Sequence, residues 1–397
     1  MGSLITLGID RLDLDWAKNC LGRNHSCLFL PDDLKDVTYH YAENHREQAP
    51  AYARSLRTIV KRLALLGYTL DGCRKMYAGL AIHPEYSQRP RVEFKTLANG
   101  LGTVDVRRLG MPGGPFGSEL WKCVLDGIPK NCQHKSATPS LTRLEFELES
   151  FFTTLDPYMV LRLLAENQIN LECEVAWRFR DLVEGGWVDE DRLYEPLPAS
   201  KRFLLVTEGT SDTSILKKSL GIAEPSTADF FEFIDMDENY PFTGTGNVVR
   251  FCEGLAKINI QSRVLVILDN DTAGQSAARR LARLRLPPQI RVMLLPKLEK
   301  CRRVRTLGPS GESFEDVNGR ATAIEAFLDL SYGGVPPPTV RWTSYDERQD
   351  AYQGEFVGKD AYVRAFFEGA DKNTGYDMSC LKYLWQQILS RCYGDWT

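Results

Sequence analysis

Four short apolar runs, FLLVT at 203–207, FFEFI at 230–234, VLVIL at 264–268 and VMLL at 292–295, alternate with amphipathic helical patterns at 211–220, 247–258 and 273–284. Nothing else in the chain restricts its fold as much. Runs of four or five apolar residues suit a strand, are too short for a helix, and demand cover on both faces. The region is therefore read as α/β, a parallel sheet flanked by helices. In such sheets functional groups collect at the carboxyl ends of the strands.

Acids fall at those ends. The first run leads into Glu208, Gly209 and Asp212 (TEGTSD), the second into Asp235 and Asp237 (FIDMDE), and the third into Asp269 and Asp271 (LDNDTAG). Like charges a few ångströms apart repel by several kcal/mol at protein-like dielectric, so a cation belongs among them. Oxygen-only ligands select Mg²⁺ or Mn²⁺ over Zn²⁺. Asp269 and Asp271, two apart on an extended segment, point to one face and can bracket one ion or divide two. Gly209 and Gly274 are read as close-approach positions where strand turns into helix. Each acid has a plainer role open to it: Glu208, Asp269 and Asp271 as solvated strand-end acids, Asp212 as a cap on the helix beginning near Ser211, and Asp235 and Asp237 as turn formers. The glycines of TGTGN at 243–247 are either a phosphate cradle or a simple loop.

An apolar strand closing on Glu-Gly, and a later one closing on Asp-x-Asp, resembles the Toprim domain of topoisomerases, bacterial primases, OLD-type nucleases and a ribosomal-RNA maturation nuclease. More of the chain resembles the bacterial HEPN/Toprim-associated proteins. The matching stretches are IDRLDLDWAKN, GYTL, RFLLVTEGTSD through LDNDTAG, NGRATAIEAFLDL, RWTSY and AYQGEFVGKDAY. The resemblance implies a Toprim-like Rossmannoid sheet at 199–332, a mainly helical (α+β) HEPN-associated domain at 1–198, and a helical extension at 333–397 completing the Toprim domain. By motif match to the nuclease branch, Glu208, Asp212, Asp269 and Asp271 would hold two divalent ions. Glu325 would be a further acid on a helix and Lys359 an electrostatic helper. The implied activity is metal-dependent endonuclease cleavage of DNA or RNA, in a bacterial setting of defence against phage. The alternatives are a non-catalytic nucleic-acid-binding or assembly scaffold, and a ribonuclease site of unfamiliar residues in the N-terminal domain.

Several classes are excluded. None of the five histidines follows an arginine at the spacing of the HEPN motif Arg-x4-6-His, and there is no P-loop, so an ATPase would have to be a partner. Ten cysteines include no CxxC pair, which weakens both zinc-binding and primase readings, and about 200 residues before the Toprim-like segment are too few for a complete topoisomerase. The N-terminal half is left as scaffold, homo-oligomer surface, sensor or substrate clamp. No apolar run reaches the roughly 18 residues of a membrane span, and acids stand near the start where a leader would be apolar, so a cytoplasmic protein is expected.

Within 1–198, helical spacing is read at 52–66 and 140–184, loops and short strands at 89–140, a turn at EGGW and a linker at 196–200. The formal charge of −4 conceals segregation: residues 203–240 carry a net −6, and residues 272–305 hold ten basic residues against one acid. Arg279, Arg280 and Arg283 on one helical pattern, with Lys300, Arg302 and Arg303, are the expected nucleic-acid surface, a solvated helix face being the alternative. Trp342, Tyr345 and Tyr352 either stack on bases or pack in the core.

Overall fold

The structure, a computed structural model, describes residues 3–42, 45–80, 92–109, 120, 151–152, 154–234, 244–371, 375–394 and 396. The chain forms two compact units, Met1–Leu197 with Tyr393–Asp395, and Pro198–Cys392 with Trp396–Thr397. Among the described residues no helix is long and apolar enough to cross a membrane.

The first unit is built on an antiparallel sheet of five strands, β1 (Leu4–Ile9), β2 (Leu12–Lys18), β3 (Leu34–Ala42), β4 (His45–Ser55) and β5 (Glu174–Arg178), in the order β2-β1-β5-β4-β3. Its described helices are α1 (Leu56–Leu65), α2 (Leu70–Leu80), α3 (Phe94–Thr103), α4 (Pro157–Leu164) and α5 (Arg180–Glu184). Ile5, Leu7, Ile9, Val175 and Trp177 bury one side of the sheet with Leu56, Ile59, Leu63 and Leu161. A smaller cluster of Val37, Tyr39, Ala49, Ala51, Ala53 and Ala176 forms separately.

Strands stand inside two of the stretches read as helical in 1–198. Residues 52–55 belong to β4, and the helix starts only at Leu56, after Ser55 at ψ 145°. Alanines at 49, 51 and 53 read as helix formers by propensity, yet their period of two buries them together in the sheet. Likewise β5 interrupts the expected helix at 140–184: Val175, Ala176 and Trp177 are all buried, so no polar face marks the strand. EGGW does end α5, with Gly186 at φ +73°.

The second unit holds a parallel sheet of β6 (Phe203–Val206), β7 (Phe231–Phe233), β8 (Arg263–Leu268) and β10 (Ile290–Leu294), in the order β10-β8-β6-β7. All four expected strands are present. The helices between them are α6 (Thr210–Ala223), α7 (Thr245–Lys257) and α8 (Thr272–Arg283). Val248, Val249, Cys252, Ala277 and Leu281 pack with Val206, Val264, Val266 and Leu268.

Beyond β10 comes a second sheet, two strands of which, β14 and β15, lie in the expected helical extension at 333–397. Strands β11 (Val304–Gly308), β12 (Gly311–Glu315), β14 (Thr339–Asp346) and β15 (Ala351–Phe356) run in the order β12-β11-β14-β15. A two-residue strand β9 (Asn270–Asp271) pairs with β13 (Ala321–Thr322). Two helices follow, α9 (Lys359–Gly369) and α10 (Ser379–Cys392), and the buried Trp385 of α10 donates its indole N–H to Ser219 of α6 at 2.9 Å.

Candidate metal centre

Strands β6 and β8 are parallel neighbours, with Val206 beside Val266, so their carboxyl ends emerge side by side. Glu208 follows β6 and Asp269 follows β8. The two are joined directly: the backbone N–H of Asp269 donates to Glu208 Oε1 at 3.0 Å. Beneath Glu208 the buried hydroxyls of Thr207 and Thr213 lie 2.8 Å apart and fasten the strand to α6.

Two further acids sit at helix starts. Asp212 Oδ2 accepts the Gly209 N–H at 3.0 Å, a capping-box contact in the first turn of α6, so the capping role open to it in the sequence is filled. Asp271 caps α8: its Oδ1 accepts from the Gly274 N–H at 2.7 Å, while its Oδ2 accepts from the side-chain amide of Gln353. Gly274 is required here, since a Cβ would stand 2.0 Å from the Asp269 carbonyl oxygen. Gly209 is not: it is extended at φ −142°, and a Cβ would meet only ordinary contacts, so the close approach expected of it is absent.

Glu325 lies on a short 3-10 turn, Ile324–Phe327, instead of a longer helix, and is only 4% exposed. Lys300 donates to the Leu328 carbonyl at 2.9 Å and so pins the end of that turn, a structural duty for a residue expected on nucleic acid. Lys359 opens α9 with its ammonium 3.9 Å from Glu325 Oε1 and its side chain 54% exposed.

The electrostatics bind these groups into one centre. Burial pushes the Glu208 carboxyl up from an ordinary 4.5 to about 8, with the Asp271 and Asp212 charges adding to it. Burial and then the Glu325 charge raise Asp212 to about 7, opposed by backbone hydrogen bonds and by Lys359. Asp269 is held well above its ordinary range by burial and by the charges of Asp212, Glu208, Asp271 and Glu325. The five acids offer oxygen donors only, the donor type that hard ions such as Mg²⁺ and Mn²⁺ take, with Lys359 as a facing cation. Among the described residues, however, no three His, Cys, Asp or Glu side chains stand ready grouped around an ion position. Asp212 and Asp271 are turned onto helix N–H groups.

Gln353 escaped the sequence reading. It lies 82 positions after Asp271, carries no charge, and is marked only by falling in the AYQGEF stretch. Besides holding Asp271 it accepts the Ala273 N–H at 3.0 Å, and Gln349 donates to the Thr272 carbonyl at 2.8 Å. Asp235 and Asp237 lie outside the described residues. Of TGTGN, the described Gly244 donates its N–H to the Glu208 carbonyl at 3.3 Å, so that group joins loop to strand.

The basic segment divides. Arg279, Arg280 and Arg283 are exposed along α8, whose first turn begins at Asp271. Arg302 pairs with Glu299 at 2.9 Å and Arg303 lies over the Phe314 ring at 5.6 Å, which makes both local surface contacts.

A family model described as HEPN/Toprim N-terminal domain 1 matches residues 1–201, just over half the chain and ending before Glu208. No curated protein and no solved structure matches.

Proposed function

The chain belongs to the HEPN/Toprim N-terminal domain 1 family, and on that premise we propose a divalent-metal-dependent phosphodiesterase acting on nucleic acid. The family's name itself points toward nucleic-acid chemistry. One observation carries the reading: Glu208 and Asp269, joined by a hydrogen bond across adjacent strand ends, share a partly buried centre with Asp212, Asp271 and Glu325.

Mg²⁺ or Mn²⁺, if bound, would supply a Lewis acid that makes water more acidic and offsets charge on phosphoryl oxygens. The chain's own part is positional. Glu208, Asp269, Asp212 and Asp271 hold the ion or ions, Gln353 fixes the orientation of Asp271, and Glu325 is a further ligand or proton acceptor. Lys359, exposed at the rim, faces the charge that develops on the scissile phosphate. Arg279, Arg280 and Arg283 extend a cationic track along α8 for the flanking backbone. The resemblance of the strand-end motifs to OLD-type nucleases supports the same reading, and with it a bacterial role against phage. There an unrestrained nuclease harms its host, and the N-terminal unit or a partner supplies the restraint.

A non-catalytic nucleic-acid scaffold is the second reading. It is favoured by the capping bonds of Asp212 and Asp271, which give both acids a purely structural use. Incubation with plasmid, single-stranded DNA and tRNA in Mg²⁺, Mn²⁺ or EDTA separates the two. Metal-dependent cleavage lost in Asp269→Ala supports the enzyme. Nucleic-acid binding without cleavage, indifferent to metal and to that substitution, sinks it.

A further inference from the structure

A phosphodiester linkage is alike in a duplex and a single strand, so the carboxylates alone do not choose between them. The β14–β15 hairpin offers a choice. Tyr345 lies directly opposite Tyr352 and Trp342 opposite Gly354, with a register irregularity between Trp342 and Ser344. That extra residue turns Tyr345 to the face of Trp342. Ring centroids are 5.0 Å apart for Tyr345 and Tyr352, and 6.1 Å for Trp342 and Tyr352.

The three rings are treated differently. Trp342 is fixed: a Cβ on Gly308 or Gly354 would come within 2.8 Å of its indole, Arg320 covers it at 4.5 Å, and its N–H donates to Glu315 at 3.3 Å. Tyr345 and Tyr352, by contrast, are 48% and 36% exposed. The next residue after Tyr352 is Gln353, which holds Asp271, and the Tyr352 carbonyl accepts the Thr272 hydroxyl at 3.0 Å. The exposed rings and the clasp on Asp271 are thus carried by neighbouring residues of one strand, whose side chains leave on opposite faces.

The geometry points to a stacking platform for unpaired bases: Tyr345 and Tyr352 hold nucleobases of a single-stranded DNA or RNA segment, on the hairpin whose Gln353 clasps the centre that receives its phosphate. The identity of the ligand rests on the phosphodiesterase reading above. In a duplex the base faces are covered by their neighbours, so an aromatic platform selects strands whose bases are free, with little regard to sequence.

The test is fluorescence anisotropy in EDTA with a labelled single-stranded DNA, the same sequence as RNA, and the matching duplexes. The wild type should bind a single strand at least about tenfold tighter than its duplex. Stacking is worth roughly 5- to 150-fold per base, so the double variant Tyr345→Ala/Tyr352→Ala should lose at least about tenfold on single strands and nothing on duplex. The pair Tyr345→Phe/Tyr352→Phe keeps both rings while removing the hydroxyl that Tyr345 gives to Asp350, and should bind as the wild type does. Equal affinity for duplex, an unaffected alanine pair, or a phenylalanine pair as weak as the alanine pair overturns the platform. The two proposals fail separately. Metal-dependent duplex cleavage that ignores the tyrosines refutes the platform alone, and tyrosine-dependent single-strand binding without cleavage in any metal refutes the phosphodiesterase alone.

Discussion

Replacing Asp269 with Asn should stabilise the metal-free protein while abolishing the proposed cleavage. The centre holds proton affinities far above normal: Glu208 at about 8 against 4.5, and Asp212 at about 7 against 3.8. The folded state therefore keeps protons that the unfolded chain releases. The sign follows: below about pH 4 both states are protonated and the acids contribute no difference, whereas from there to about pH 8 stability falls as pH rises. For Glu208 alone the difference corresponds to about 5 kcal/mol. The acids repel one another, so their penalties overlap and do not simply add.

Removing the Asp269 charge relieves its repulsion with Glu208, Asp212, Asp271 and Glu325. A like-charge pair costs up to roughly 4 kcal/mol at about 4 Å and an effective dielectric near 20, and less when farther apart. Since the wild type escapes part of this by holding protons, a net gain of about 2–3 kcal/mol is expected at pH 8, or about 5–10 °C in melting temperature for a unit of this size. At pH 5 the gain should vanish. Circular-dichroism melting of wild type and Asp269→Asn in EDTA at both pH values measures it, and Mg²⁺ should then raise the wild-type melting temperature and leave the variant unmoved. A variant destabilised equally at pH 5 and pH 8 would show that Asp269 is an ordinary structural residue, and the reasoning would fail.

Gln353→Ala frees Asp271 from its amide partner and should weaken metal binding about 10–100-fold, as removal of an outer-shell hydrogen bond does, read by calorimetric titration of Mn²⁺. Gly274→Ala forces a Cβ onto the Asp269 carbonyl; a destabilisation of roughly 3 kcal/mol or more is expected in urea unfolding. Arg279→Ala, Arg280→Ala and Arg283→Ala together should weaken nucleic-acid binding evenly across sequences and flatten its salt dependence, by about one slope unit for each phosphate no longer neutralised. In the first unit the buried Asn170 donates to the carbonyls of Val104 and Leu164 and accepts from Val106 N–H; Asn170→Ala should cost about 2–4 kcal/mol by stranding all three groups, measured by thermal melting.

The parallel sheet was legible because β6 and β8 are apolar on both faces and end in acids, a pattern local in sequence. The places of Glu208, Asp212, Asp269 and Asp271 at strand ends and helix starts were legible for the same reason. The first unit was not, because β4 carries buried alanines where a strand normally shows β-branched residues, and β5 is too short for its period to register against the helices beside it. Gln353 was illegible on different grounds. A neutral amide gains its role only when the hairpin closes over α8, and no local pattern encodes that pairing. The basic segment misled in part, since sequence counts charges and the structure assigns them: Lys300 holds a backbone carbonyl, while the arginines of α8 stay exposed.

How the fold tolerates these acids also says what it still lacks. Asp212 stands in the first turn of α6, Asp271 caps α8, and Lys359 opens α9, while Gly244 at the start of α7 donates its N–H to the Glu208 carbonyl. Two of these helices, α6 and α8, begin on the acids themselves, and each brings roughly half a positive charge at its N-terminus, worth about 0.3–1 kcal/mol per nearby anion and up to ~2 where partly buried. Against like-charge pairs of up to roughly 4 kcal/mol each, that offset is partial. It is enough to let the strand ends approach, and too little to return Glu208, Asp212 and Asp269 to ordinary proton affinity. The charge left over must be met by protons or by a cation. At neutral pH, divalent ions compete with protons for the same oxygens, so metal binding should release protons, and titration of the wild type with Mg²⁺ in two buffers of different ionisation enthalpy should show it. If no protons are released, the acids are already ionised and the repulsion argued for this centre is absent.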